Sequence, residues 1–296
     1  MFQKYKYHIL LHFIILLYGF TGILGKLIRQ DFITIVWYRL LFALIGLGIV
    51  LLYLKKSIIV ASFEQLISLF GIGIIVALHW ITFYKSIQLS TASLGILCLS
   101  TTTLHVSWLE PLIMKRKFSW IEFCLGLFVI GGIYFVSSDF KTTDYQALSY
   151  GLFSAFLAAL FSTLNGAVVR KIPSTTMTFY EILMSFIFVT FILIVQGDFN
   201  FNLFQMSISD LMWLLFLGIG CTSFAFLVTI DLIKRLGNFT VSLSINMEPV
   251  YTILLAIFIL HENKLLGSQF YIGTIMIVLV VISNPIIKYY ISQKNK

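Results

Sequence analysis

The sequence predicts an all-α membrane protein, with ten transmembrane helices in two inverted five-helix repeats. Three observations predict it. Hydrophobic residues make up 59% of the 296 residues and charged residues only 11%, with a mean hydropathy of +1.00. A soluble domain carries about 25% charged residues to cover its surface. The chain also divides into ten apolar stretches, each close to the roughly 20 residues a bilayer crossing needs. Finally, the basic residues cluster between those stretches and on alternate sides of them. This composition excludes a soluble globular enzyme, a disordered chain and a DNA-binding domain.

The stretches, in order, are Ile9–Leu27, Ile33–Leu54, Leu66–Ile87, Ala92–Met114 and Trp120–Val136, then Leu148–Val169, Met177–Val195, Leu211–Ile233, Phe239–Leu260 and Phe270–Ile287. Lys4 and Lys6 precede the first, as in a signal peptide, but no small-residue cleavage pattern follows, so it reads as a retained helix. Connections are short. Barrel strands would be about ten residues long with alternating polarity, and these runs are neither. The three cysteines, Cys98, Cys124 and Cys221, stand singly in apolar runs and read as small buried hydrophobes.

Loop charge sets the orientation. With the N-terminus inside, Lys4, Lys6, Lys55, Lys56, Lys115, Arg116, Lys117, Arg170, Lys171, Lys234, Arg235, Lys288, Lys294 and Lys296 are internal, 14 of the 20 bases. Lys26, Arg29, Lys85, Lys141 and Lys264 are external, and Arg39 lies within a helix. The outer loops collect Asp31, Asp139, Asp144, Asp198 and Glu262 instead. Both termini are then cytoplasmic. The net charge of +8 faces anionic lipid and is not a nucleic-acid footprint.

Residues 1–140 and 141–296 echo each other. Tyr18, Gly19, Thr21 and Gly22 lead to Arg29 and then to Trp37-Tyr38-Arg39. In the second half Ser162, Thr163, Asn165 and Gly166 lead to Arg170 and Lys171 and then to Phe179-Tyr180-Glu181. Thr21 pairs with Thr163, and Arg39 with Glu181, at the same offset. Thr91-Ala92-Ser93-Leu94 matches Thr240-Val241-Ser242-Leu243. Five helices per half is an odd number, so the second half enters the membrane inverted. Inverted repeats are a carrier architecture, with the solute near the midplane between the halves. The plainer reading is a duplicated scaffold that transports nothing.

These features resemble the EamA-type branch of the drug/metabolite transporter superfamily over nearly the whole chain. The stretch from Thr240-Val241-Ser242-Leu243 through Glu248-Pro249 to His261-Glu262-Asn263-Lys264 is similar to that branch's TASL, SP/EP and LGER ending, with His261 where Gly usually stands. The first half departs further: Thr101-Thr102-Thr103 stands near the place of the Ser-Pro, and Glu110-Pro111 lies near the inner basic loop. The resemblance implies an inner-membrane carrier exporting small metabolites such as amino acids, sugars, nucleotides or toxic cations.

Polar side chains inside spans are costly and usually face the interior or a water-filled cavity. Glu248 is near mid-depth, where Pro249 removes a backbone donor; it reads as a protonatable or solute-contacting group, or as a structurally paired carboxyl. Arg39 and Glu181, at mirrored depths, read as gating or helix-holding groups. His79, Trp80 and Phe83 form an aromatic wall with one imidazole, or ordinary packing. Tyr18, Thr21, Thr102, Ser162, Asn165 and Asn246 complete the candidate solute site. His105 forms a stripe with Thr101, while Asp231 and His12 read as snorkelling near the inner surface.

No nucleotide fingerprint, metal motif or nucleophile elbow is present. The sequence therefore predicts a secondary carrier, an exporter working by alternating access and able to use proton coupling. No cofactor and no metal are expected. The partners are a small-molecule solute and the lipid bilayer, with no nucleic acid, and a homodimer is admissible. A membrane-embedded enzyme or a channel-like permease is the alternative.

Overall fold

The computed structural model describes residues 2–55, 62–139, 141–168 and 172–294. Lys56, Arg170 and Lys171 of the basic loops lie outside these residues, as do Met1 and Lys296. The side chains of Lys4, Asp139, Ser242, Leu243, Lys288 and Lys294 lie outside the description as well.

Among the described residues the chain is helical, with no strand. The helices are α1 Phe2–Leu27, α2 Phe32–Tyr53, α3 Phe63–Leu89, α4 Ala92–Leu99, α5 Thr102–Met114, α6 Trp120–Val136, α7 Thr142–Val168, α8 Ser174–Gln196, α9 Ile208–Leu215, α10 Ala225–Leu236, α11 Asn238–Ile245, α12 Glu248–Ile259 and α13 Ser268–Lys294. Among the described residues, seven helical stretches are long and apolar enough to cross a membrane, counting Ala92–Met114 and Ile208–Leu236 as one each. Trp120–Val136, Glu248–Ile259 and Ser268–Ser283 are shorter apolar helices.

Local chemistry sets the boundaries. The Asp31 side chain accepts from Ile33 N, Thr91 from Leu94 N, Ser119 from Glu122 N and Ser207 from Asp210 N, each satisfying an amide that a helix start leaves free. Gly197, at φ 78°, ends α8, a left-handed conformation that glycine adopts without steric cost.

Three expected spans are not plain helices. Ala92–Met114 breaks at Ser100–Thr101, and Phe239–Leu260 breaks at Asn246–Met247. Pro249 therefore starts α12 rather than kinking a continuous helix. Proline fits a first turn, whose amides have no carbonyl partner in any case. Between α9 and α10 the backbone winds as a π-helix over Phe216–Phe224. Thr222 Oγ1 donates to Leu217 O at 2.8 Å and Ser223 Oγ to Ala43 O at 2.7 Å, so the wide turn is bonded to itself and to α2.

Small residues let helices touch. A Cβ on Gly273 of α13 would lie 2.4 Å from Gly132 O of α6, and one on Gly218 would lie 2.5 Å from Phe42 Cβ of α2. Such contacts suit helices that gain no hydrophobic drive from leaving lipid.

One end of the bundle carries the N-terminus of α1 and joins α10, where Arg235 Nη1 donates to Tyr7 OH at 2.7 Å. The opposite end is sewn together by long-range bonds. Lys26 Nζ donates to Gln88 O, Arg29 N to Asp210 Oδ1, and Ser90 Oγ to Asp144 Oδ1. Ile28, Ile35, Val36, Ile87 and every residue of Ala92–Cys98 are buried there.

Candidate functional site

A cavity of about 700 Å³ lies between the helices of the two halves. Tyr18 and Thr21 of α1, Arg39 of α2, and His79, Trp80 and Phe83 of α3 line it. So do Ser100 and Thr102 at the first helix break, Ser162 of α7, and Asn246 and Glu248 at the second. Both helix breaks therefore open on the same space. Breaking a helix frees backbone groups there, and discontinuous helices are how carriers build solute sites.

The wall is fixed by hydrogen bonds. Tyr18 OH and Thr229 Oγ1 are 2.9 Å apart, tying α1 to α10. His79 Nδ1 lies 2.9 Å from Ser154 Oγ, linking α3 to α7 and turning one face of the ring from the space. Phe83 stacks on His79. At the breaks, Thr101 Oγ1 donates to Cys98 O and Thr103 Oγ1 to Ser100 O, whereas the buried Ser100 hydroxyl has no partner among the described residues.

Arg39 is the cation of the site and is 7% exposed. Its Nε donates to Thr222 Oγ1 and its Nη1 to Tyr84 OH, both at 3.1 Å. The guanidinium lies 4.1 Å from the Trp80 ring centroid, a cation–π stack that partly offsets the cost of burial. Arg39 thus joins α2, α3 and the π-helical turn. Glu248 is half-buried on the same wall and feels the Arg39 charge. Neither forms an ion pair among the described residues. A positive and a negative group therefore face one space without neutralising each other by contact.

Exposure rises toward the amino-terminal end. Thr102, Thr103, Phe226 and Asn246 are half-buried and Ser162 is exposed, while the opposite end is closed. Part of that closure is Glu262, on the loop before α13 and only 2% exposed. Its carboxylate accepts from Ala92 N at 2.7 Å, Ser93 N at 3.0 Å and Ser93 Oγ at 2.6 Å. An anion at a helix start meets both free amides and the positive end of the helix dipole.

Of the residues the sequence singles out for the solute, Tyr18, Thr21, His79, Trp80, Phe83, Thr102, Ser162 and Asn246 line this cavity. Asn165 does not, and the buried Glu181 is also outside the lining; Asn165 Oδ1 and Glu181 Oε1 are buried without a partner among the described residues. Arg39 and Glu248 are in it. His105 packs against Trp108 and Phe156 instead. Asp231 pairs with Arg235 at 2.6 Å, and His12 Nδ1 lies 2.9 Å from Tyr251 OH. Sequence reasoning passed over Ser100, Thr103, Phe161 and Phe226 as lining. For Phe161 and Thr103 the signal was adjacency to Ser162 and Thr102; for Phe226 there was none.

No curated protein matches the sequence. Solved structures do: one, described only as the crystal structure of a protein, is 15% identical, covers 92% of this chain and 94% of its own, and has a TM-score of 0.63. At that identity the likeness is one of fold alone. The model of the EamA-like transporter family matches residues 6–138 and again 146–284. Two matches over almost the full length, on a helical chain whose broken helices meet at one cavity, carry a plain conclusion: the chain belongs to the EamA-like transporter family.

Proposed function

We propose that the protein is a secondary transporter that moves an amphipathic zwitterion, an amino acid or a close relative, through the cavity between its halves. One observation carries this reading: Arg39 and Glu248 stand on one cavity wall with opposite charges and no mutual ion pair. A solute carboxylate would meet Arg39 and a solute ammonium Glu248. The apolar remainder would lie against Trp80, Phe83 and Phe161. A buried charge left unpaired is expensive, so a solute carrying both charges is favoured over one carrying either alone.

On this reading all ten apolar helical units cross the cell (inner) membrane, both termini are cytoplasmic, and residues 1–140 and 141–296 are the inverted halves. The closed end is then external and the cavity faces the cytoplasm, the loading state of an exporter. With no ATP-binding motif in the sequence, the drive is a gradient or exchange. Glu248 is a protonatable group where solute and proton would compete.

The test is counterflow. Proteoliposomes loaded with a cell metabolite extract are diluted into buffer containing isotope-labelled extract, and exchanged solutes are read by mass spectrometry. Zwitterionic solutes with apolar side chains should exchange above protein-free vesicles. Glu248→Gln should reduce that exchange at least tenfold by removing the charge that meets the ammonium. Exchange confined to solutes of a single charge sign would sink the proposal.

A further inference from the structure

We propose that a second pocket, at the closed end of the molecule, is the exit chamber for the solute, and that the seam between α4 and the α12–α13 segment is the gate into it, latched by Glu262. That a zwitterion passes through rests on the reading above; the gate itself rests on packing.

The pocket measures about 310 Å³. Thr91 and Leu94 at the start of α4, Val136 at the end of α6, Asp144 of α7, and Leu265 and Phe270 around the start of α13 line it. Lys141 and Asp144 give its wall both charge signs, which suits a zwitterion. One apolar cluster divides it from the central cavity. Leu94 and Ile96 of α4, Ile253 of α12, and Phe270, Ile277 and Val281 of α13 belong to that cluster, and all are buried. Leu94 and Phe270 line the outer pocket, whereas Ile96 and Val281 line the central cavity. The two spaces thus adjoin the same stretch of α4, with buried apolar side chains between them.

Each side of the seam is keyed to its own neighbours. On one side a Cβ on Gly95 of α4 would lie 2.6 Å from Ile87 Cγ1 of α3, and one on Gly151 of α7 would lie 2.6 Å from Cys98 Sγ of α4. On the other side Gly273 of α13 meets the backbone of α6 at Gly132. Helices packed this closely transmit displacement and move as units. Between the two units the cluster is apolar, and such contact is non-directional. It can part and re-form without leaving a polar group unmet. Glu262 is the exception. Among the described residues, the hydrogen bonds across the seam are the three that its carboxylate accepts from Ala92 N, Ser93 N and Ser93 Oγ. Charge-assisted bonds are short and directional, so this latch is either made or broken.

The helix α12 connects the latch to the solute. It begins at Glu248, on the wall of the central cavity, and ends at Ile259, three residues before Glu262. Its 12 residues span about 18 Å. His261, just before the latch, has a φ of 54°, a left-handed conformation costly to a residue with a Cβ. Leu265 N then donates to Glu262 O at 2.8 Å and closes a 3-10 turn. Glu262 is therefore joined to α12 by a stiff turn and not by a slack linker. A tilt of α12 driven from Glu248 is delivered to the latch, a coupling carried by one rigid element.

Oriented vesicles bearing the full chain with Cys124→Ser test the gate. Ile96→Cys reports its inner side, and a membrane-impermeant maleimide is added to the face opposite the N-terminus. Adding Glu262→Gln should raise labelling of Ile96→Cys at least tenfold over the same chain with Glu262 intact, after subtracting the Cys124→Ser parent. An unchanged rate would overturn the proposal. A cross-link keeps the test independent of how well Glu262→Gln folds. Thr143 on α7 and Leu265 on the loop after Glu262 both line the pocket and are exposed. Replacing both with cysteine and joining them with a cleavable bis-maleimide ties the two sides of the gate. Counterflow of phenylalanine, a zwitterion with an apolar side chain, should stop in the linked protein and return on cleavage. Counterflow by the linked protein at its unlinked rate would overturn the exit chamber and leave the zwitterion reading intact. Absent wild-type counterflow together with the tenfold gain in labelling would do the reverse: the zwitterion reading fails and the gate stands.

Discussion

Glu262 gains its meaning only in three dimensions. Along the sequence it is one acid of several in an external loop, within a stretch similar to a family ending. In the structure it reaches from the second half to the first and caps α4 with three hydrogen bonds. Replacing it with glutamine removes the charge and turns an N–H₂ toward groups that are themselves donors. Glu262→Gln should therefore cost about 1–3 kcal/mol, read as a fall of several degrees in Tm in detergent. An unchanged Tm would mean that α4 does not depend on this cap. The cavity residues were more legible. Tyr18, His79 and Asn246 were polar groups near mid-depth of apolar helices, and such groups usually turn to an interior or to water. Asn165 met the same criterion and went elsewhere. Depth along a helix can be counted from sequence, but which side of the helix faces the cavity is set by neighbours, and Asn165 lies outside the lining.

At the scale of elements, apolar length located the helical stretches but not their internal breaks. The run from Ala92 to Met114 holds no glycine or proline near Ser100–Thr101, and hydroxyl groups of Thr101 and Thr103 bond the loosened carbonyls there. In the second half the break precedes Pro249, so the proline marked the place within two or three residues. The π-helical turn at Phe216–Phe224 left no mark in hydropathy; it contains Gly218 and Gly220, and Gly218 lets α2 approach. Close helix contacts give a sharper prediction. Gly273→Ala would drive a methyl group to 2.4 Å from Gly132 O, and backbone cannot yield as a side chain can. Separating α6 from α13 should cost at least about 1–3 kcal/mol, seen as lower thermal stability, with a compensating loss unavailable at Gly132. Wild-type stability of Gly273→Ala would show that this contact is looser than described.

For the molecule as a whole, the repeat seen in the sequence and the two matches of the family model agree in placing like segments in each half. Their meeting point is one cavity, closed at one end and open toward the amino-terminal end. A carrier exposes such a space to one side at a time, whereas a channel exposes it to both. Thiol accessibility separates the two. Cys98 and Cys221 are buried and Cys124 is exposed, so the background needs only Cys124→Ser. Ser162→Cys and Trp80→Cys then report the two depths of the cavity in oriented vesicles, using a membrane-impermeant maleimide added to either face. The account predicts that without solute Ser162→Cys reacts only from the face bearing the N-terminus. It predicts that Trp80→Cys becomes reactive from the other face only under conditions that slow labelling of Ser162→Cys. Simultaneous, independent labelling of both positions from both faces would contradict alternating access.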